Sequence, residues 1–570
     1  MRVFKKPITI IILIALCVSI CSSCFGVIFV PVISTIAGLP GYTLTEKDVK
    51  EAKDYLATAK KAILNDATAV ETNVAWNDFM LAYYEIASQA NVAYILYASD
   101  SSNQTYKDNY LFASDAYNDI YSDYLSTLKD IYLSEQEDGV SKEESFFREL
   151  SESEINRIVK HSEQVAQLET EVEELQMDYA SLSKDEFYDE SVTIYKQIIA
   201  KNNQIATLYG FDNYYEYASE YVYGRDATIT DINEFRQNVG EYVPQIITEL
   251  NSDLQSAKEK LSDSDKKLLN EITTSAYNKS SVNYWDKYVN SYEGKMKGYL
   301  SHAFDNQNVM LANGTNSREM AFNAYLPAYS KSFCYFGPGY QDVFTISHEI
   351  GHYYANYHSI LQNTYGDASM DLKETHSQAN EMLLLEFLSS QLTANSFDAL
   401  EASKLVSMMS TVIVSTIVDE FEYFVYTNDV SGYTSADFDA KMNQICANYG
   451  GRAFIDTIAT DINNYWRLVA IEHPVYYLSY ATSGIASISL YVKADESRAS
   501  ARAIYQKLVE DTPSNLGFAG GLKNAGLLDP FKQETFEVLE LYLVGVEVEI
   551  PEYDSTESAE STEEQSDLAA

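Results

Sequence analysis

The spacing of apolar residues along most of the chain is the feature that most restricts its fold. From about Leu44 to Tyr221, apolar residues recur every three or four positions with acids and lysines between them, the pattern of amphipathic α-helices. The pattern returns from Ile232 to about Leu300 and through the last third of the chain. Only 10 Pro and 23 Gly interrupt the 570 residues, too few for the many turns of a β fold. The sequence therefore predicts a mostly α protein.

One stretch breaks this helical pattern. Between Met310 and Asp342, glycines and prolines surround the aromatic run MAFNAYLPAYSKSFCYF, which favours two or so short strands. The stretch leads directly into the segment VFTISHEIGHYYANYH at 343–358, which has helical spacing. We therefore expect a small β-sheet next to that helix.

The chain has 84 Asp and Glu against 40 Lys and Arg, a formal net charge of −44. Such a chain repels the phosphate backbone of nucleic acids, so we expect no nucleic-acid partner. The two ends contribute little to the excess, because residues 1–23 carry three bases and residues 551–570 carry seven acids. Hydrophobic residues make up 46% of the chain, which is ample for large cores. The acidity therefore belongs to the surface of a folded body.

The N-terminus has the features of a targeting segment, because a basic start is followed by an apolar run at 8–20 and then by CSSC. Thirteen mostly apolar residues suit a signal peptide or lipoprotein leader over 1–23, with Cys24 or Cys21 as the lipid-modified residue. An uncleaved membrane anchor over 8–36 and simple secretion are the alternatives. All of them predict an extracytoplasmic protein, and the leader of a lipoprotein or an anchor also predicts membrane attachment.

The most informative motif is HEIGH at 348–352. Two histidines four positions apart project from one helix face, so the imidazoles of His348 and His352 can reach one tetrahedral Zn²⁺. Glu349 lies beside them, where it can contact a metal-bound water. Short H-E-x-x-H strings also arise by chance, but four of the seven histidines in this chain fall within 29 residues: His348, His352, His358 and His376. The motif therefore predicts a zinc site.

The third metal ligand has two possible sources. His358 is ten positions after His348, but Ala355 favours a continuous helix, which would place His358 about 15 Å from His348 along the axis. The stretch DLKETHSQANEMLLL at 371–385 instead offers Glu374 and Glu381 on one helical face. Spacing alone allows either glutamate to be the ligand and the other to orient an imidazole.

Taken together, DVFTISHEIGH and the following ETHSQANE have the pattern H-E-x-G-H and then E-x-x-S-x-x-N-E. This pattern resembles the oligoendopeptidase F branch of the thimet oligopeptidase superfamily. Three other segments also resemble that branch, namely LYGFDNYYEYASEYVYGRDAT at 208–228, YYLSYATSG at 476–484 and GLKNAGLLDPF at 521–531. The resemblance thus spans most of the chain from about Leu208 onward.

The resemblance implies one Zn²⁺ held by His348, His352 and Glu374, with Glu349 as the general base that activates the zinc-bound water for attack on a scissile carbonyl. Glu381 then remains a candidate for orienting an imidazole. The implied fold is a two-lobed, helical, zincin-type metallopeptidase with the zinc at the floor of a deep channel. Such a channel admits short oligopeptides and excludes folded proteins.

The segment before and within YYLSYATSG supplies candidates that bind substrate and stabilise the intermediate. The resemblance implies this role for Tyr480 and for Tyr477, one turn earlier. The family histidine corresponds to Val469 in this chain, whereas His473 comes four residues later. Either His473 takes over the role of that histidine or the role is lost.

These observations predict a division of the chain and two functions to compare. We expect a helical scaffold lobe at 44–225, a catalytic domain at 226–550 and a disordered acidic tail at 551–570. The leading hypothesis is a zinc-dependent endopeptidase of short oligopeptides. The alternative is a peptide-binding surface lipoprotein that retains the fold without turnover, motivated by Val469. The sequence leaves open whether Cys334 and Cys446 pair, and it leaves the oligomeric state open.

Overall fold

The computed structural model describes residues 38–544 except for 66, 142–144, 149, 151, 181, 183–186, 275–278, 363–367 and 513–515. The predicted leader at 1–23, the alternative anchor at 8–36 and the predicted disordered tail at 551–570 lie outside the described residues.

Helices dominate the described chain, as the apolar spacing predicts. Those before the sheet are α1 (Glu46–Leu64), α2 (Ala69–Ser99), α3 (Gln104–Asp138), α4 (Glu152–Lys160), α5 (Glu163–Ala180), α6 (Phe187–Tyr209), α7 (Tyr214–Tyr217), α8 (Ile229–Glu259), α9 (Asp263–Thr273), α10 (Lys279–Asn290) and α11 (Gly294–Asp305). Those after the sheet are α12 (Val343–Gln362), α13 (Met370–Ser389), α14 (Ala394–Thr427), α15 (Ser435–Cys446), α16 (Arg452–Ile458), α17 (Leu478–Glu496), α18 (Arg498–Glu510), α19 (Gly517–Ala525) and α20 (Gln533–Leu543). Two π-helical turns occupy Ala218–Val222 and Trp466–Ala470.

Several helices begin at a capping box, which the sequence encodes locally. At the start of α2, Thr68 Oγ1 accepts a hydrogen bond from the backbone N–H of Glu71 at 3.3 Å, and Glu71 accepts one from the backbone N–H of Thr68 at 3.0 Å. The same reciprocal pairing begins α8, α9 and α15. Each box satisfies N–H groups that have no partner inside the helix, so these helices start where their sequence specifies.

The predicted sheet has three strands, β1 (Val309–Leu311), β2 (Ala321–Leu326) and β3 (Lys331–Phe336). Their order is β1-β3-β2, with β3 in the centre, parallel to β1 and antiparallel to β2. Strand β3 pairs Cys334 with Val309 on one side and with Asn323 on the other. The sheet is therefore small, as expected, and it precedes α12 directly.

Both faces of β3 are covered. Phe333, Cys334, Tyr335 and Phe336 are all 0% exposed. Because side chains alternate along a strand, Phe333 and Tyr335 point to one face and Cys334 and Phe336 to the other. Phe333 joins the cluster of α1–α3, whereas Cys334 and Phe336 join the cluster that contains α12. The continuous apolar run FCYF thus reflects a strand buried on two sides.

Buried hydrophobic side chains form two large clusters. The first joins α1–α3 and residues up to Ile158 to the sheet residues Ala324, Leu326 and Phe333. The second extends from Val172 to Leu543. The protein is therefore two-lobed, with the sheet lying between the two cores. The predicted domain boundary at 225 stays a prediction.

Among the described residues, one helix, α14, is long and apolar enough to cross a membrane. However, 61% of its most apolar stretch is buried inside the protein, and the helix packs against α8 and α17. Since a core helix passes the same test of length and composition, we interpret α14 as a core helix.

Cys334 and Cys446 are buried, and neither forms a disulfide within the described part of the chain. The thiol of Cys334 contacts the carbonyl oxygen of Glu349 at 3.7 Å, which joins β3 to the middle of α12.

Candidate metal centre and catalytic site

Helices α12 and α13 lie against each other and carry the predicted metal ligands. Helix α12 begins at a cap in which Asp342 Oδ1 accepts hydrogen bonds from the backbone N–H groups of Phe344 at 2.9 Å and Thr345 at 3.1 Å. Helix α13 begins at a cap formed by Ser369, which accepts from Leu372 N at 3.3 Å. These caps set where each helix starts, and so which residues face the other helix.

The middle residue of the motif, Gly351, lets the two helices approach closely. A Cβ atom at this position would lie 2.6 Å from the carbonyl oxygen of His376 and 2.7 Å from the Cα of Ser377. Nearby, Asn380 Nδ2 donates a hydrogen bond to the carbonyl oxygen of Ser347 at 2.7 Å. The glycine and the amide bridge together hold α13 at the distance from α12 that brings their side chains into contact.

The donor atoms of His348, His352 and Glu374 all lie within 4.8 Å of one another. Glu374 Oε2 is 3.5 Å from His348 Nε2 and 3.6 Å from His352 Nε2. The two imidazole rings are 5.0 Å apart, centroid to centroid, and nearly perpendicular. The structure therefore brings together the three residues that the resemblance implies as ligands. This arrangement of two nitrogens and one oxygen can hold a metal ion.

Glu381 occupies the position expected for a residue that orients an imidazole. Its Oε1 accepts a hydrogen bond from His348 Nδ1 at 2.8 Å, and its Oε2 accepts one from Lys404 Nζ. A carboxylate only accepts, so Nδ1 donates its proton to Glu381, and Nε2 is the nitrogen that faces Glu374 and is available to a metal.

Glu374 is held by two hydroxyl groups besides its contacts with the histidines. Ser377 Oγ donates to its Oε2 at 3.2 Å, and Tyr476 OH donates to its Oε1. Although burial would raise the pKa of Glu374, the neighbouring His352 and His348 hold it well below its usual range. The side chain is therefore an ionised carboxylate, the form that binds metals.

Glu349 lies next to the ligands and is 5% exposed. Its Oε2 has no hydrogen-bond partner among the described residues. Burial raises the pKa of Glu349; Glu374 and Glu381 raise it further, and the two motif histidines oppose the shift. A buried carboxylate with a raised pKa and a free oxygen is suited to accept and return a proton near neutral pH.

Tyr480 lines the cavity at the site, whereas Tyr477 is not among the residues that line this cavity. Tyr480 lines the same cavity as His348 and Glu349, and burial keeps its pKa well above its usual range. Tyr477 contacts the rings of Tyr476 and Tyr480, and within the described part of the chain it forms no hydrogen bond to a ligand. The tyrosine that bonds to Glu374 is Tyr476, which sequence reasoning did not single out.

His473 lies behind Tyr476, with ring centroids 6.1 Å apart. Burial lowers the pKa of His473, and the charge of Arg318 acts in the same direction. Its backbone N–H donates to the carbonyl oxygen of Val469 at 2.9 Å. His473 and Val469 are therefore on successive turns of one segment, but whether His473 takes over the family role stays a prediction.

The other two clustered histidines do not belong to the group that can hold a metal. His358 lies within α12 and is buried with its ring edge-on to Tyr299 at 5.9 Å, as expected for a helix that continues. The carbonyl oxygen of His376 faces Gly351, and burial lowers the pKa of its imidazole to about 3. Both histidines serve packing around the motif.

The site opens into a cavity of about 530 Å³. Its walls come from the sheet edge at Met320 and Ala321, from Tyr340 before α12, and from Leu400, Lys404 and Ser407 on α14. A volume of this size is typical of sites for small ligands or short peptide segments.

Comparisons with known proteins agree with this geometry. Residues 267–508 match the model of peptidase family M3. The oligoendopeptidase F homolog of Borreliella burgdorferi is 25% identical over 176 residues, which span 30% of this chain and 30% of that relative. The family match contains the whole of α12 and α13, the two helices that carry the predicted metal ligands.

Two solved structures share the fold. A crystal structure assigned to oligoendopeptidase F from Bacillus anthracis strain Ames superposes with a TM-score of 0.69 at 17% identity, over 88% of this chain and 96% of that chain. PZ peptidase A, solved with an inhibitor, superposes with a TM-score of 0.67 at 15% identity, over 88% and 97%. The predicted resemblance to oligoendopeptidase F and the two-lobed helical fold are confirmed. Residues 267–508 thus match peptidase family M3, and the chain has the fold of oligoendopeptidase F.

Proposed function

We propose that this protein is a zinc-dependent endopeptidase that hydrolyses short oligopeptides. The observation that carries the proposal is the convergence of the donor atoms of His348, His352 and Glu374 within 4.8 Å of one another. Glu349 is next to His348 in the motif and lines the same cavity, and the charges of both histidines and of Glu374 act on its carboxylate. The match of residues 267–508 to peptidase family M3 supports the same reaction class.

The residues present fit a catalytic zinc site. Two imidazole nitrogens and one carboxylate oxygen are a common ligand set for catalytic zinc, and they leave the fourth tetrahedral position open. The buried Oε2 of Glu349, unpaired among the described residues, is an acceptor for a water molecule at that side of the site. A Zn²⁺ ion held by His348, His352 and Glu374 would supply Lewis-acid activation of the water and of the scissile carbonyl.

Glu349 is the group that moves the proton. In its ionised form the carboxylate takes a proton from the attacking water, and in its protonated form it delivers that proton to the nitrogen of the leaving amine. Burial raises the pKa of Glu349 and so brings the two forms closer in free energy at neutral pH. The same residue can thus act as base and then as acid in one turnover.

Tyr480 is our candidate donor to the oxyanion that develops on the scissile carbonyl. Its hydroxyl stays protonated because burial raises its pKa, and the side chain lines the cavity beside Glu349. Tyr476 OH is 3.4 Å from Tyr480 OH and donates to Glu374, so the two hydroxyls connect the oxyanion donor to a metal ligand. We also propose that His473 and Tyr477, whose rings contact these two tyrosines, help to bind the substrate.

Substrate size follows from where the site lies. Glu349 is 5% exposed and the histidine side chains are 19% exposed, so the scissile bond must enter the cavity to reach them. An extended peptide chain can enter a cavity of about 530 Å³. A surface loop of a folded protein is attached to a domain that is too large to enter with it. We therefore propose short, unstructured peptides as substrates.

The proposed location is extracytoplasmic, with attachment to the membrane through the N-terminus. The support is the basic start, the apolar run at 8–20 and the cysteines Cys21 and Cys24. Mass spectrometry of the native protein tests it. A lipidated Cys24 or Cys21 would establish a lipoprotein, an intact Met1 would favour the anchor over 8–36, and an unmodified N-terminus after cleavage would indicate simple secretion.

The test of the proposed activity compares wild type with Glu349→Gln on a mixture of quenched fluorescent peptides, with and without a zinc chelator. We expect metal-dependent cleavage by wild type and a loss of about 10²- to 10⁴-fold in kcat/KM in the variant, because the amide cannot accept the proton. Metal content is measured in parallel, since Gln keeps the shape of the side chain and should leave the bound metal in place.

Glu420→Gln is the matched control, because Glu420 lies on α14 and bonds to Tyr449, away from the ligands. It should cleave as wild type does. Cleavage that survives either the chelator or Glu349→Gln would contradict a zinc hydrolase. Peptide binding without any turnover by wild type would support the alternative of a peptide-binding lipoprotein.

A further inference from the structure

Residues 474–480, which we call the tyrosine segment, present Tyr476 and Tyr480 to the site. Part of this segment has an unfavourable backbone conformation. Val475 has a φ of 64°, in the left-handed region that a β-branched residue rarely adopts. Helix α17 begins only at Leu478. The backbone of Tyr476 forms turn hydrogen bonds with His473 and Ser479, but within the described part of the chain none of these turn bonds includes Val475. Contacts from outside the segment must therefore keep this conformation in place.

Three buried side chains supply those contacts. Arg225 donates hydrogen bonds to the carbonyl oxygens of Val475 at 2.9 Å and Tyr476 at 3.2 Å, and to Ser479 Oγ at 2.8 Å. Tyr223 OH donates to the carbonyl oxygen of Pro474 at 2.6 Å. Glu422 Oε1 accepts a hydrogen bond from the backbone N–H of Val475 at 2.7 Å.

The same stretch also holds the start of the helix that carries Glu374. Arg225 Nε is 3.3 Å from Asp371 Oδ1, in the first turn of α13, and the carbonyl oxygen of Tyr223 accepts from the backbone N–H of Met370 at 2.9 Å. Glu374 follows Asp371 by three residues and accepts the hydrogen bond from Tyr476. One guanidinium is therefore bonded both to the tyrosine segment, at Tyr476, and to the first turn of the helix that carries Glu374.

Burial makes this arrangement rigid. The side chain of Arg225 is 0% exposed and that of Asp371 is 1% exposed. A buried guanidinium needs an acceptor for each of its N–H groups, and the fixed planar fork allows few alternative positions for those acceptors. Moving the tyrosine segment would leave charged donors without partners, so the conformation shown is strongly preferred.

We infer that Arg225 is a positioning residue, which fixes Tyr476 and Tyr480 relative to Glu374 by bonding the tyrosine segment to the first turn of α13. This inference rests on the proposed function for its catalytic consequence. The chemistry at the metal needs the tyrosine hydroxyls at a set distance, and Arg225 sets that distance without touching the reacting atoms. Arg225 lies in the segment 208–228, which resembles the same family as the HEIGH motif does. The positioning role gives a physical reason why the two segments occur together in one chain.

The test substitutes Arg225→Lys, which keeps the charge but loses the fork of N–H groups. Arg236→Lys is the matched control. Arg236 is similarly buried and bonds to Asp419 and Tyr215, and within the described part of the chain no hydrogen bond joins it to the tyrosine segment. Both substitutions remove directed bonds from a buried ion pair, so both should lower the Tm by a similar amount.

Three measurements separate positioning from general support of the fold. For Arg225→Lys we expect kcat on the fluorescent peptide to fall by about 10- to 100-fold with KM within about threefold, because a displaced hydroxyl weakens the transition state more than substrate binding. We also expect faster hydrogen exchange in peptides that cover 474–480, and weaker zinc binding in competition with a chelator. Arg236→Lys should leave all three close to wild type.

Equal kcat values for the two variants, or unchanged exchange at 474–480 in Arg225→Lys, would overturn the inference. Failure of the proposed function has a different signature, namely the absence of metal-dependent cleavage by wild type. In that case the exchange and the zinc competition still decide whether Arg225 positions the tyrosine segment, since neither measurement needs turnover.

Discussion

At the residue scale, the carboxylate of Glu381 lies between His348 Nδ1 and Lys404 Nζ, and it accepts a hydrogen bond from each. Burial alone would raise the pKa of Glu381, but Lys404 and His348 together lower it. An ionised acceptor on Nδ1 fixes the orientation of the ring and makes Nε2 a better metal ligand. Glu381 would therefore act on a bound metal through His348.

We expect Glu381→Gln to weaken zinc binding by about 10- to 100-fold, because the amide keeps a hydrogen bond to His348 but loses the charge. Competition with a chelator of known affinity measures the change. Glu386→Gln is the matched control, since Glu386 lies on the same helix and pairs with Arg498 instead. Equal zinc affinity in the two variants would show that the charge of Glu381 does not matter for the metal.

A second observation at this scale concerns Tyr476 and Tyr477. Counting back one helical turn from Tyr480 singles out Tyr477, but α17 begins at Leu478, and Tyr477 only caps it. Helical spacing does not apply before the first turn, and the left-handed Val475 turns the chain so that Tyr476 reaches Glu374. The catalytic role of Tyr477 stays a prediction, while Tyr476 is the tyrosine in contact with a ligand.

At the scale of elements, the packing of α12 on α13 decides the geometry of the ligands. The glycine of the HEIGH motif is essential to this packing, because a Cβ at Gly351 would lie 2.6 Å from the carbonyl oxygen of His376. Backbone atoms cannot move aside as the end of a flexible side chain can. The helices must separate if position 351 gains a side chain, and Glu374 would move away from the histidines.

Gly351→Ala should therefore lower the free energy of unfolding by about 1–3 kcal/mol through overpacking, and weaken zinc binding at the same time. Urea unfolding and chelator competition measure the two effects. Gly298→Ala is the control, because Gly298 lies inside α11 and a Cβ there meets no described atom within 4 Å. It should raise stability by about 0.5–1 kcal/mol, since alanine favours the helix. A neutral Gly351→Ala would contradict the close-packing argument.

At the scale of the whole molecule, the sheet joins the two lobes. One face of β3 packs into the cluster of α1–α3 through Phe333, and the other face packs into the cluster that contains α12 through Cys334 and Phe336. The wall of the cavity at Met320 and Ala321 belongs to the same sheet region. Loss of packing on one face should therefore loosen one lobe and move part of the cavity wall.

We expect Phe333→Ala to lower the free energy of unfolding by about 3–5 kcal/mol, because it removes a fully buried ring. Hydrogen exchange should become faster in α2 and α3 in particular. Phe536→Ala is the comparison, since Phe536 is equally buried but packs against Phe235 and Tyr242 in the other cluster. If both variants changed exchange in α2 and α3 alike, the sheet would not be the specific link between the lobes.

The sequence by itself determined the helical class, the position of the sheet before α12, and the helix that carries His348, Glu349 and His352. These features are local, because apolar spacing, capping boxes and the four-residue interval between the histidines depend only on neighbouring residues. The excess of acids also predicts that nucleic acid is not a partner, and this stays a prediction.

Spacing along the sequence left open which glutamate faces the two imidazoles; the resemblance implied Glu374, and the tertiary structure supplies the physical reason. The sequence places Glu374 and Glu381 on one face of α13, and only the packing of α13 on α12 directs the first to the Nε2 atoms and the second to Nδ1. The contacts of Lys404 and Arg225 with this site join residues far apart in the chain, and no local pattern encodes them. Such contacts depend on how the elements approach each other in space. For this reason the large number of acids in the sequence did not by itself indicate the site, and only the fold shows which few carboxylates are buried together.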